Sequence, residues 1–334
     1  MTEIGLSEEE IQFRDSVRAF VDKRIVPNAT RWDFEERYPR ELFQETAALG
    51  WLGVGFPEEY GGSGGSSVLY ALLCAELARG SAAIALGLYV HTALASSAIL
   101  HLGTARQKAS YLPDALAGRR IGCWGYAEAG AGADISCVRT RARRDGDCYV
   151  LDGAKLYITN SPFADFMVIV AQTEPGRGLK GMSLFVIDRD MPGVRVGAPF
   201  RKLGMGASEM AEIVFEGVRV PAGNRVGTEH VGFIEALKVL TLGRIASAGF
   251  GVGLGRAALE EALRYSANRM QADAPINRHQ FVRFTLADMA TRLEAAWRLT
   301  LHAARLADAG SDHDCAAAMA KLFATETCTH VCER

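Results

Sequence analysis

The spacing of apolar residues changes twice along the chain. From Ser7 the pattern is helical: Ser7 to Glu10 has the S-x-x-E spacing of a capping box, and Phe13, Val17, Phe20 and Val21 recur on one helical face. Pro27 and Pro39 punctuate, and residues 41–50 predict another helix. A glycine-serine loop at 61–65 precedes three more predicted helices, over 66–79, 82–102 and 105–117, the last stopped by Gly118. Segment 1–119 reads as an all-helical domain.

From residue 121 the period becomes two. Strand-like runs are predicted at 121–126, 135–143 and 149–152, the last two joined through Asp145-Gly146-Asp147 as a hairpin. Further runs lie at 165–173, 182–188, 194–198, 211–215 and 218–221. Segment 120–228 therefore predicts a small antiparallel barrel or sandwich. Helical spacing returns at 233–270 and 279–309, with a third helix beginning near Asp312. That third helix is still in pattern at Glu333-Arg334, so segment 229–334 reads as a helical bundle that is incomplete, with apolar faces left to cover. The fold class is multidomain α+β in the order helical, β, helical.

Composition narrows the function classes. The 334 residues are 49% hydrophobic with a formal net charge of −2, enough for several cores and too neutral for a nucleic-acid surface. The basic cluster at 139–144 fits a solvated strand face. The apolar helix 82–102 is interrupted by His91, Ser96 and Ser97 and reads as buried rather than membrane-spanning. The N-terminal MTEIGLSEEE lacks a signal-peptide core, and seven cysteines, an odd number mostly in apolar runs, suggest reduced thiols in a cytoplasmic protein. Cys328, His330 and Cys332 have no second ligand cluster, so no metal site is expected.

Candidate chemistry concentrates in 123–160. The Gly130-Ala131-Gly132-Ala133 turn carries almost no side chain, so a ligand can lie against its amides. Trp124 and Tyr157 offer flat faces, and Thr159 a hydroxyl. A planar heterocycle with a phosphate tail suits this set. On spacing alone, an ordinary hairpin with small turn residues is the simpler reading.

The same stretch resembles the flavin-binding segment of the acyl-CoA dehydrogenase family. Ala127-Glu128-Ala129-Gly130-Ala131-Gly132-Ala133-Asp134 is similar to its TEPGAGSD-type turn, and Tyr157-Ile158-Thr159-Asn160 to its WITN-type strand end. The segments FPEEYGGSG, AELARGSAA and LGMGASEMAEIVFEGVRVP extend the resemblance over essentially the whole chain. It implies FAD as cofactor, with Trp124, Tyr126, Ala127, Ala133, Tyr157, Ile158 and Thr159 lining the ring. It also implies that Arg269 meets the pyrophosphate across a subunit interface, that Gln280 makes a second FAD contact, and that Arg244 and Ala133 lie near an acyl-CoA. The activity implied is α,β-dehydrogenation of an acyl thioester, on CoA or a carrier protein. Electrons then pass to an electron-transferring flavoprotein or another acceptor. The assembly implied is a dimer or tetramer, or a hetero-oligomer with a fuller paralogue.

Several positions depart from the family pattern. Ala127 and Ala133 stand where the family has hydroxyls, Ala129 where it has proline, and Ala272-Asp273 where it has an aromatic-glycine pair. Each lost hydrogen bond costs about 0.5–1.5 kcal/mol. The family's later FAD segment and its usual glutamate base have no counterpart here, and the alternative base position is Gly243. No catalytic base is therefore assigned. The alternatives are a catalytically silent subunit paired with an active partner, or another flavin oxidation on the same scaffold.

Overall fold

A computed structural model describes residues 5–334; Met1 to Ile4, the start of the N-terminal acidic stretch, lie outside the described residues. The order of elements is helical, β, helical. Helices α1 (Glu8–Phe20), α2 (Val26–Phe34), α3 (Glu41–Ala48), α4 (Ser67–Gly80), α5 (Ala82–Tyr89), α6 (Ser97–Leu102) and α7 (Ala105–Leu116) come first. Strands β1 (Gly122–Gly125), β2 (Arg141–Asp145), β3 (Cys148–Thr159), β4 (Phe166–Gln172), β5 (Met182–Asp188), β6 (Val194–Val196), β7 (Met210–Pro221) and β8 (Arg225–Val226) follow. Then come α8 (Gly232–Asn268), a ribbon of β9 (Met270–Gln271) and β10 (Ala274–Pro275), α9 (Gln280–Asp308) and α10 (Asp314–Glu333).

The described residues form two compact units: residues 5–30, 65–85 and 241–334, and residues 31–64 and 86–240. In the first, Ser7 closes the predicted capping box: its Oγ accepts from the Glu10 N–H at 3.2 Å, and Glu10 accepts from the Ser7 N–H at 2.8 Å. Arg305 of α9 holds the same carboxylate through both Nη atoms at 2.6 Å. Asp308, at the end of α9, caps α4 by accepting from the Ser67 N–H at 2.6 Å. The core joins Leu72 and Ala75 of α4, Ile245 and Val252 of α8, Trp297 of α9 and Ala320 of α10. Glu76, with no exposed surface, is buried among Arg18 (2.9 Å), Arg79 (3.2 Å) and Arg256 (3.1 Å). Burial alone raises its pKa, but Arg18, Arg256 and Arg79 outweigh that and hold the carboxyl below its usual range.

In the second unit the strands run β6-β7-β3-β2-β4-β5-β8, with β1 on the flank of β4. Alternation along β4 and β5 divides two cores. Phe166, Val168, Val170, Leu184 and Val186 pack with Ile99, Leu112 and Leu116 of the helices. Met167, Ile169, Phe185 and Ile187 pack with Ile213, Phe215 and Val218 of β7, so the sheet curls around its own interior. The path ends at β6 and β8 and is not a closed barrel. Nor is it purely antiparallel: β1 and β2 each run parallel to β4. The β2–β3 hairpin intervenes between β1 and β4, and an excursion of that length lets both enter the sheet in one direction.

The predicted strand at 135–143 is corrected. Ile135–Cys137 is a 3₁₀ turn, with Asp134 accepting from the Ser136 N–H at 3.0 Å, and the strand starts at Arg141. The hairpin turn at Gly146 is as expected, with φ +61°. The runs at 211–215 and 218–221 are one strand, β7. The apolar stretch 82–102 has a mean hydropathy of 1.7 and is 72% buried; a π turn at Val90–Ser96 interrupts it. Within α8 a second window has comparable hydropathy and is 56% buried.

Candidate functional site

β1 leaves the sheet into the glycine-alanine turn, and that turn docks on β3. The Leu156 N–H donates to the Ala127 carbonyl at 2.9 Å. Glu128 and Ala131 exchange backbone hydrogen bonds at 2.9 and 3.1 Å, closing a two-residue turn around Ala129 and Gly130. Beyond it Gly132, Ala133 and Asp134 are exposed. A Cβ built on Gly130 or Gly132 meets nothing within 4 Å, and neither residue has a positive φ. Among the described residues nothing requires glycine there, whereas a ligand backed onto the turn would.

β3 carries the other half. Between Lys155 and Ile158 its pairing with β7 slips, and Tyr157 takes a left-handed φ of +58°. Its ring is thrown outward, 61% exposed, and meets Phe200 at 5.3 Å between centroids. Ile158 turns into the sheet interior, and Thr159 is half-buried at the strand end. Asn160 then adopts a left-handed φ of +68° and is anchored by Nδ2 donating to the Gly87 carbonyl at 2.8 Å.

Trp124 does not offer an open face. It is 5% exposed, packed among the helix-side core, and its indole Nε1 is buried without a hydrogen-bond partner. Tyr126 and Ala127 are half-buried. A buried donor left unpaired is costly, and a ligand acceptor would relieve it. Together with the open glycines, this fits a flat heterocycle bearing acceptor atoms.

Sequence reasoning missed a buried ion pair beneath the turn. Lys155, with no exposed surface, donates from Nζ to Glu128 Oε1 at 2.7 Å and to the Tyr126 carbonyl at 3.1 Å. Glu128 also accepts from the backbone N–H groups of Arg139 (2.7 Å) and Thr140 (3.0 Å). Burial pulls the Lys155 ammonium down to about 8 against the opposing pull of Glu128. Burial raises the Glu128 carboxyl, but Lys155, Thr140 and Arg139 outweigh it and leave it lowered. The available signal was a lysine inside an alternating strand, with nothing in the spacing to name its partner.

Three candidates lie in the other unit. Arg269 follows α8 and is exposed; its backbone bonds to Tyr265 and Ile276, each at 2.8 Å, start the β9–β10 ribbon. Gln280 is exposed at the first position of α9. Arg244 is half-buried on α8, with Nη1 donating to Thr241 Oγ1 at 2.9 Å, and Gly243 precedes it. Cavities of about 440 and 390 Å³ in the two units are lined by none of these candidates. Among the described residues no cluster of three or more His, Cys, Asp or Glu side chains is arranged to hold a metal ion.

Comparison with known proteins gives one family. Residues 7–119, 123–218 and 230–334 match, in turn, the N-terminal, middle and C-terminal domains described for acyl-CoA dehydrogenase. The chain is 38% identical over 321 residues to an acyl-CoA dehydrogenase of Bacillus subtilis, covering 96% of this chain and 85% of that one. It superposes on butyryl-CoA dehydrogenase from Megasphaera elsdenii with a TM-score of 0.95 at 34% identity, covering 99% of this chain and 87% of the other. A glutaryl-CoA dehydrogenase from Mycobacterium smegmatis in complex with FADH2 gives 0.93 at 32% identity, covering 98% and 83%. The C-terminal match runs through residue 334, so the reading of a shortened bundle gains no support.

Proposed function

Because the chain belongs to the acyl-CoA dehydrogenase family, we propose that it is an FAD-binding flavoprotein of acyl thioester α,β-dehydrogenation. The observation that carries this reading is the segment from Trp124 to Thr159: an orphaned indole donor, a glycine turn open to approach, and a bulged strand presenting Tyr157 and Thr159. In this reading Tyr126, Ala127, Ala133, Tyr157, Ile158 and Thr159 line the ring, and Trp124 serves it only through its buried indole Nε1. Ile158 contributes backbone only, because its side chain is committed to the core. Arg269 and Gln280 serve the pyrophosphate, Arg269 as a guanidinium and Gln280 beside the free N–H groups of a helix start. Arg244 and Ala133 serve the acyl thioester.

Bound FAD supplies the two-electron acceptor that no side chain provides. The α-proton needs a carboxylate in reach. Gly243 has no side chain to take it, and we assign that role to a group outside these residues. The same glycine favours a second reading, a catalytically silent subunit that pairs with an active paralogue. The partners proposed are an acyl-CoA or acyl-carrier substrate, an electron-transferring flavoprotein or other acceptor, and further copies of the chain in a cytoplasmic oligomer. The three-segment division at 119/120 and 228/229 is kept as part of this proposal.

The test is reconstitution with FAD followed by anaerobic addition of a short-chain acyl-CoA. A yellow protein bleached by the thioester is the expected result. A protein that stays colourless with excess FAD overturns the flavoprotein reading; a yellow protein never bleached, even with an active paralogue present, overturns the dehydrogenase reading.

A further inference from the structure

Lys155 is a buried cation on the strand that carries Tyr157 and Thr159, and the proposed chemistry gives its charge no task. Its Nζ holds the Tyr126 carbonyl, and the next residue's N–H holds the Ala127 carbonyl. Two consecutive carbonyls of the turn are thus tied to β3. Glu128 completes the clamp by taking Lys155 Nζ together with the N–H groups of Arg139 and Thr140.

This has a directional consequence. A trans peptide places its N–H opposite its C=O, and the described residues contain no cis peptide. With the Tyr126 carbonyl drawn to the Lys155 ammonium, the Ala127 N–H is aimed away from that ammonium. An ammonium on the carbonyl oxygen also polarises the peptide and makes that N–H a stronger donor. Position 127 carries alanine, so this backbone group is its one hydrogen-bond donor.

We propose, resting on the flavoprotein reading, that Lys155 and Glu128 are positioning residues for the cofactor: they fix and polarise the Tyr126–Ala127 peptide so that its N–H donates to an electronegative edge atom of the flavin ring. Neither side chain touches the cofactor. The pair acts through the backbone it clamps.

The experiment compares wild type with the double variant Lys155→Met/Glu128→Gln, which removes both buried charges together, and with Glu128→Gln alone as the gentler change. Three quantities are read: amide exchange of Arg139, Thr140 and Leu156 in the FAD-free protein, FAD affinity, and the midpoint potential of the bound flavin. The proposal expects exchange at least tenfold faster in the double variant, FAD binding at least tenfold weaker, and a more negative potential. Where the double variant does not fold, Glu128→Gln shows the same three changes to a smaller degree. Unchanged exchange overturns the clamp. Faster exchange with unchanged affinity and potential overturns the positioning role. A wild-type chain that takes up no FAD overturns the flavoprotein reading and the positioning role with it, while the exchange data still decide whether the clamp exists.

Discussion

His91 is held as a neutral imidazole from both sides. The Gly122 N–H donates to its Nδ1 at 2.9 Å, and its Nε2 lies 3.0 Å from the Ala115 carbonyl, which fixes the proton on Nε2. Burial pushes its pKa down from 6.5 to about 4. Between those values the unfolded chain takes a proton that the folded chain refuses. The stabilisation is complete above pH 6.5 and is lost as pH falls to about 4, by as much as ~3 kcal/mol. Denaturant titrations at pH 7 and 4.5 should show a steeper loss for wild type than for His91→Gln; equal slopes would contradict this. A second single-residue prediction concerns the β9–β10 turn, where Ala272 (φ +50°) and Asp273 (φ +59°) are both left-handed. Ala272→Gly should stabilise by about 1 kcal/mol in the same titration. Legibility at this scale is uneven. The left-handed φ of Asn160 was not foreseen; the small glycine-alanine turn was readable as a surface a ligand can meet, although spacing alone favoured an ordinary hairpin. The Lys155–Glu128 pair was not readable, because its partners are far apart in sequence and a lone lysine in a strand usually points to solvent.

Among elements, α4 and α8 approach closely enough that their facing positions have no room for a larger side chain. A Cβ on Gly253 would sit 1.9 Å from the Ala75 carbonyl oxygen, and one on Gly249 would sit 2.6 Å from that of Ala71. Small residues at i and i+4 on both helices let the backbones touch. Gly253→Ala should therefore destabilise by ~1–3 kcal/mol through overpacking, despite alanine's better helix propensity. A Gly253→Ala protein as stable as wild type would show that the seam opens freely. Helix and strand positions were legible to within a few residues where an element buries one face, and β4 and β5, buried on both, stood out as continuous apolar runs. The segment 135–143 misled: Val138, Thr140 and Ala142 alternate with three arginines, but Asp134 caps Ser136 and turns the chain first. The π turn at Val90–Ser96 left no mark on the apolar pattern either, since every face of that stretch is buried apart from Leu94.

For the whole molecule, the helical–β–helical order was legible because the hydrophobic period switches at residues 121 and 232. The open, mixed sheet was not, because strand direction depends on which strands meet, and period says nothing of that. Phe281 and Phe284 on α9 and Met319 and Leu322 on α10 are exposed, which agrees with the proposed self-association. The central proposal joins two parts: the chain grips a flavin, and Gly243 does not supply the carboxylate that removes the α-proton. The most direct measurement is the anaerobic bleaching rate of the FAD-reconstituted chain, alone with a short-chain acyl-CoA, with and without added formate. The account predicts a yellow protein that bleaches slowly and is accelerated by formate, since a missing general base is worth roughly 10²–10⁴ in rate. Fast bleaching that formate does not change would contradict it, because the chain would then hold its own base.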